Sequence, residues 1–290
     1  MASSKEIQDR MKSISDTMKI TNAMYLISSS KLRKARKNME QVYDYFHTIR
    51  RSIGDILHHI PEMEHRFLEP VDGPDFAGKR AYIVITADKG LAGAYNLNVE
   101  KKAEQEYHAH PDARFFVIGQ VGRHYFLHKQ IPFEEDFLYS SQKPTLQRAR
   151  QITVDLLDEV RNERVQEVYI IYTRMKNGLQ SEPVMMKLLP LSREQFYHKD
   201  MGLPEGDEPE ASVFNQLAPI TMQGIIFSAL TESYCAELND RMVAMDGATK
   251  NGTEMLQQLQ LQYNRLRQGS ITQEITEVIA GAKAQKKKRL

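Results

Sequence analysis

The chain has 290 residues, 41% of them hydrophobic and 27% charged, enough to bury one large core or two smaller ones and too apolar for disorder throughout. A formal net charge of +1 removes any global electrostatic case for nucleic acid, and a lone cysteine, Cys235, excludes an intramolecular disulfide and a thiolate zinc site. No apolar run approaches a membrane span, and the opening MASSKEIQDRMKSI, with Glu6 and Asp9 and no apolar core, does not read as a signal or transit peptide, so the cytoplasm is the expected compartment.

The charge is unevenly placed. Residues 1–60 carry eleven Lys and Arg against six Asp and Glu, whereas His198–Ser212 holds five acidic residues against Lys199 alone. Through the same first sixty residues an apolar stripe runs in steps of four and three: Ile7, Met11, Ile14, Met18, Thr21, Tyr25, Ser28, Leu32, Ala35, Met39, Val42, Phe46, Ile49, Ile53, Ile56 and Ile60. The repeat is 3.5 and not 3.6, so the pattern asks for a left-handed supercoil with another long helix. Pro61 stops it. At ~1.5 Å per residue this helix is expected to reach ~80 Å, more than a compact domain can cover. Its segment SSSKLRKARK (Ser28–Lys37) is basic but lacks aromatics to stack bases, so a solvated outer face or an acidic protein neighbour explains it better than nucleic acid does.

The middle has a different texture. RAYIVIT (Arg80–Thr86), RFFVIG (Arg114–Gly119) and EVYIIYT (Glu167–Thr173) read as strands, separated by helical stretches near Leu97–His108 and Leu146–Val160, an alternation that implies a mostly parallel sheet with covering helices. After the third strand KNG (Lys176–Gly178) signals a turn, and PVMMKLLPL (Pro183–Leu191) is expected to return antiparallel at the sheet edge. The acidic Lys199–Glu210 segment reads as a linker. From Ile220 onward there is no proline, and Leu238, Met242, Met245, Leu256, Leu259, Tyr263 and Leu266 resume the 3.5 spacing, with Thr249 and Gly252 as weak members. Such a helix is expected to run ~100 Å, and Gly247, Gly252 and Gly269, each costing about 1 kcal/mol against Ala, are expected where backbone passes close to a neighbour. The fold class predicted is α/β, a Rossmann-like central domain (70–200) joined to a long antiparallel coiled coil of an N-terminal helix (1–60) and a C-terminal helix (213–290). The C-terminal arm is the longer, and Ile271, Ile275, Val278, Ile279 and Ala282 continue its apolar stripe past the expected reach of its partner.

Candidate chemistry is sparse. ITADKGLAGAYN (Ile85–Asn96) takes a strand through a glycine turn into a helix, the geometry that presents N–H groups to phosphate, but it holds neither GxxxxGK[ST] nor GxGxxG, and a turn that needs glycine for its backbone explains it as well. Asp88 and Lys89 have no titratable partner placed beside them by sequence. His58, His59, Glu62, Glu64 and His65 are close enough in sequence to suggest metal ligands, yet Pro61 breaks the register that would align them; His108 and His110 form an HxH at a helix exit. No catalytic residue, metal site or cofactor is assigned.

Four stretches, DTMKITNAMYLISSSKLRKAR (Asp16–Arg36), ITADKGLAGAYN, RMVAMDGAT (Arg241–Thr249) and LQYNRLRQGSITQEITEVIAGA (Leu261–Ala282), resemble the gamma subunit of F-type ATP synthases. The resemblance implies a non-catalytic rotor at the cytoplasmic face of the bacterial membrane, its terminal helices an asymmetric shaft inside a ring of alpha and beta subunits, and its α/β domain seated with epsilon on the membrane c-ring. Ion flow would turn the shaft and drive the beta sites in turn through binding, synthesis and release; the subunit itself would bind no nucleotide and no nucleic acid. Matching residues imply contacts with the ring at Met24, Arg241, Gln268 and Thr272. Two departures stand out: Ser28–Ser30 replace a run that is often alanine-rich, and the basic tail KAQKKKRL runs past the usual end. The alternatives are a stand-alone α/β enzyme built on the glycine turn, which would bind nucleotide or phosphate, and a coiled-coil scaffold without a rotary role, which would pair with itself.

Overall fold

A computed structural model describes residues 4–69, 79–162, 164–177, 180–199, 202 and 209–288, with side chains as far as residue 280. The acidic linker reading and Gly178 of the KNG turn lie mostly or wholly outside the described residues, as do the side chains of Ala282 and the basic tail. The chain forms two compact units, Met1–Ile27 with Met242–Leu290 and, separately, Ser28–Arg241. The unit with the sheet therefore includes parts of both terminal helices along with the central segment.

Helix α1 spans Ser4–His59 and ends just before Pro61, whose ring cannot continue the ladder. All sixteen members of its predicted stripe are buried or half-buried. The last helix, which is numbered α5 in chain order, spans Glu210–Lys288 and begins ten residues earlier than the proline-free run suggests. Pro219 lies inside it. A proline there removes one helical hydrogen bond, but Ala218 and Met222 on either side are fully buried, and tertiary packing of this kind overrides propensity. One stretch of α5 is long and apolar enough by composition to cross a bilayer, contrary to the sequence reading; half of it is buried inside the chain.

In the Ser28–Arg241 unit, β1 (Arg80–Ile85), β2 (Arg114–Ile118), β3 (Glu167–Asn177) and β4 (Gln180–Leu189) form one sheet in the order β2-β1-β3-β4. β1 pairs in parallel with both neighbours, and β4 returns antiparallel on β3, as the turn signal predicts. Helices α2 (Tyr95–Ala109) and α3 (Gln120–Lys129) cover one face through Val99, Ala103 and Phe126 against Tyr82, Val84 and Phe115. The other face packs on α4 (Leu146–Arg161), the end of α1 and the start of α5, through Ile152, Leu156, Ile53, Ile56, Phe214 and Ile226. Within this unit α1 and α5 lie antiparallel, with the Phe46 ring filling the space a Cβ at Gly224 would need. Helix α3 is not legible in the sequence reading; its third residue, Gly122, is there because a Cβ would meet the Thr86 methyl at 2.6 Å.

In the other unit the first turns of α1 wind on Met242, Met245, Thr249, Gly252, Leu256, Leu259, Tyr263 and Leu266, every one buried or half-buried. This is the antiparallel coiled coil the 3.5 spacing demands. Of the three glycines expected at close approaches only Gly252 is one, with the Met18 side chain 2.7 Å from where its Cβ would sit. Gly247 and Gly269 face open space.

Candidate functional site

The glycine turn after β1 is built from both sides. Thr86 Oγ1 donates to the Ile118 carbonyl (2.9 Å) and accepts from the Gly122 N–H (3.0 Å), tying the ends of β1 and β2 to the start of α3. Gly119, at φ 95°, lies so close to the Thr86 carbonyl that no side chain fits. The Ala87 N–H donates to Asn96 Oδ1 (2.8 Å), and the Asp88 carboxylate accepts from the Gln120 N–H and the Ser140 hydroxyl. Left-handed backbone falls at Leu91 and Gly93, not at Gly90, so only one of the two glycines is needed for conformation.

Helix α5 closes this turn. Arg241 donates from Nη2 to the carbonyls of Lys89 and Gly90, 3.1 Å each, and from Nη1 to Glu237 Oε1 at 2.6 Å, one turn earlier on α5. Tyr95 at the start of α2 shares a 2.7 Å hydrogen bond with Ser233, and Ala87, Ala92, Tyr95 and Ala236 pack as one apolar cluster. Burial raises the Glu237 carboxyl above the usual carboxylate range against the opposing pull of Arg241, and burial likewise raises the Tyr95 phenol. Where a phosphate-binding turn would aim N–H groups at an anion, this one aims two carbonyls at a guanidinium, with Asp88 and Glu237 adding negative charge nearby. The turn is a clasp for the chain's own helix. Glu237 is the residue that sequence reasoning missed; its i, i+4 spacing to Arg241 was the available signal.

The other candidate residues take separate places. Met24 is half-buried on α1, and Gln268 and Thr272 are exposed on α5, where the Thr272 hydroxyl donates to the Gln268 carbonyl at 2.9 Å. Arg241, with a side chain only 9% exposed, is committed to Glu237 and the glycine turn. Every residue from Arg267 to Ala280 is exposed, including Ile271, Ile275, Val278 and Ile279, while Leu266 is the last half-buried position. Ser28, which departs from the expected alanine-rich run, is buried, Ser29 is half-buried and Ser30 exposed.

The histidine clusters disperse. His59 lies 3.5 Å from Glu210, and His65 bonds Asn215 at 2.8 Å beside the Phe214 ring. His110 meets Arg80, while His108 is exposed on the last turn of α2. Burial pushes the Cys235 thiol up to about 11, which makes it a poor nucleophile.

Comparison with known proteins gives a consistent result. The ATP synthase family model matches residues 3–285. The chain is 43% identical to the ATP synthase gamma chain of Ruminiclostridium cellulolyticum, over 97% of this chain and 98% of the relative, and 41% identical to that of Caldanaerobacter subterraneus, over 96% and 98%. It is 34% identical to the gamma chain of Acetobacterium woodii, described as sodium ion specific, over 96% and 97%. Among solved structures it is similar in fold to a chain of the Euglena gracilis mitochondrial ATP synthase (TM-score 0.67, 15% identity, 97% of this chain and 94% of that one). It is also similar to a central-stalk chain of the Tetrahymena thermophila mitochondrial enzyme (TM-score 0.60, 19% identity, 79% and 99%). With more than nine-tenths of both chains aligned to the bacterial relatives at these identities, this chain belongs to the family of ATP synthase gamma chains.

Proposed function

We propose that this protein is the central-stalk rotor of an F-type ATP synthase, coupling ion flow through the membrane c-ring to ATP synthesis and hydrolysis at the beta subunits. The observation that carries the reading is the run of α5 from Arg267 to Ala280, every residue of it exposed, in which Ile271, Ile275, Val278 and Ile279 stand 44–72% exposed. Apolar residues at helical spacing on a bare helix need a surface from another chain. A ring of alpha and beta subunits supplies one, and epsilon and the c-ring are the partners of the sheet-bearing unit. Torque then requires only that the beta conformations differ in contact free energy with the shaft, since a contact equal in all of them shifts nothing.

The subunit is itself non-catalytic in this reading, and the clasped glycine turn supports that: its carbonyls are spent on Arg241. Met24, Gln268 and Thr272 contact the ring directly, and Arg241 acts on it through the turn it holds, from which Leu91 stands 65% exposed. The enzyme sits at the cytoplasmic face of the bacterial membrane with this chain peripheral to the bilayer. The test is co-expression with alpha and beta subunits. A stoichiometric complex with ATPase activity is the expected result; a chain that stays out of the complex, or pairs only with itself, overturns the rotor reading in favour of a scaffold.

A further inference from the structure

The seam between the first turns of α1 and residues 242–266 of α5 is apolar except at one layer. There Thr21, 9% exposed, meets Thr249, with their Oγ1 atoms 2.7 Å apart. Thr21 Oγ1 also lies 3.1 Å from the Met18 carbonyl oxygen, and Thr249 Oγ1 lies 2.9 Å from that of Met245. Two hydroxyls carry two protons, so only two of these three bonds exist at once. Thr21 can donate to Thr249 while Thr249 donates to Met245, Thr249 can donate to Thr21 while Thr21 donates to Met18, or each can donate within its own helix. The third arrangement would set two hydroxyl lone pairs against each other at 2.7 Å, so the spacing favours the first two, which keep the link between the helices and use both protons.

The neighbouring layer is a matching fit of shape, Met18 lying over Gly252 where a Cβ would be 2.7 Å from its Cγ. Thirteen residues back along α1 and fourteen forward along α5, Gln8 Nε2 donates to the Tyr263 hydroxyl at 2.7 Å, in the same register. A slip of one heptad would set Thr21 against Met242 or Leu256, and Met18 against Met245 or Leu259, leaving hydroxyls facing hydrocarbon and the thioether without its hollow.

We propose that the Thr21–Thr249 hydroxyl pair, backed by Met18 over Gly252, is the pin that sets the register of this antiparallel pair. Because Ser4, the first described residue of α1, lies opposite the turn of α5 that follows Tyr263, the register also sets which turns of α5 the described part of α1 covers. The pair gives up apolar burial in one layer and gains a unique alignment, the trade that a single polar layer makes in other coiled coils. The inference rests on the seam alone and stands or falls apart from the rotor reading.

The test uses the full-length chain carrying Gln8→Cys and Tyr263→Cys, joined by a short bismaleimide, with the cross-linking rate as readout. Thr21→Val or Thr249→Val is expected to slow the reaction by about threefold or more, the ratio that corresponds to one lost hydrogen bond. The double valine variant is expected to fall no further than either single one, since all three lose the same bond. Thr21→Ser with Thr249→Ser keeps both hydroxyls and should keep the rate, which separates a lost bond from a misfolded chain. Unchanged rates in the valine variants, a double variant that falls by the product of the singles, or serine variants as slow as valine would each overturn the proposal.

Discussion

Arg241 shows how much of this fold can hang on one side chain. Its guanidinium joins α5 to the glycine turn by two carbonyl bonds and neutralises Glu237, which is 2% exposed. Arg241→Met would leave that carboxylate buried and unpaired, and unfolding of the chain is expected to be easier by roughly 3–5 kcal/mol. Adding Glu237→Leu should recover most of the loss, measured as denaturation midpoints of the two variants. Glu100 on α2 is a second buried carboxyl, 5% exposed, with no hydrogen bond to its Oε1, and burial pushes it up to about 7 from the ordinary 4.5. Between those two values the folded chain keeps a proton that the unfolded chain has released, so stability falls as pH rises through the window and levels off above it. Glu100→Gln is expected to melt a few degrees above wild type at pH 8, with the gap closing toward pH 4.5 in parallel thermal scans. Neither carboxyl is legible in the sequence as special, because burial of a polar residue on a helix depends on what the sheet puts beside it.

At the scale of elements, the glycines of the β1–α2 and β2–α3 connections separate backbone need from mere spacing. Gly119→Ala is expected to cost about 2–4 kcal/mol, since it combines a positive φ with a collision at the Thr86 carbonyl. Gly93→Ala, strained but in open space, should cost about 1 kcal/mol, and Gly90→Ala, with neither problem, should stay within about 0.5 kcal/mol, all read from chemical denaturation. The strands and both terminal helices were legible because their periodicities are strong: β-branched runs at Arg80, Arg114 and Glu167, and a 3.5 repeat kept for more than seven heptads. Helix α3 was not, since QVGRHYFLHK places glycine and histidines where helix formers belong and is held by tertiary bonds to Thr86. The C-terminal helix expected at 213–290 starts at Glu210 and runs through Pro219, a break signal that core burial overrides.

For the whole molecule, deletion of Thr272–Leu290 is the sharpest test of coupling. Among the described residues, Thr272–Ala280 are all exposed, so the variant is expected to fold and to assemble in part, with ATP synthesis reduced relative to assembled complex; unchanged synthesis would count against the rotor reading. Family membership was legible in four motifs, but the clasp was not, because Arg241 and the carbonyls of Lys89 and Gly90 are some 150 residues apart and meet only through the sheet. The bare stretch of α5 has one more implication, for biogenesis. On the proposed rotor reading, copies released before their neighbours exist would carry Ile275, Val278 and Ile279 uncovered and would cluster. Production in step with the other subunits, or shelter by a chaperone, would then be demanded by the same surface that the proposed assembly hides.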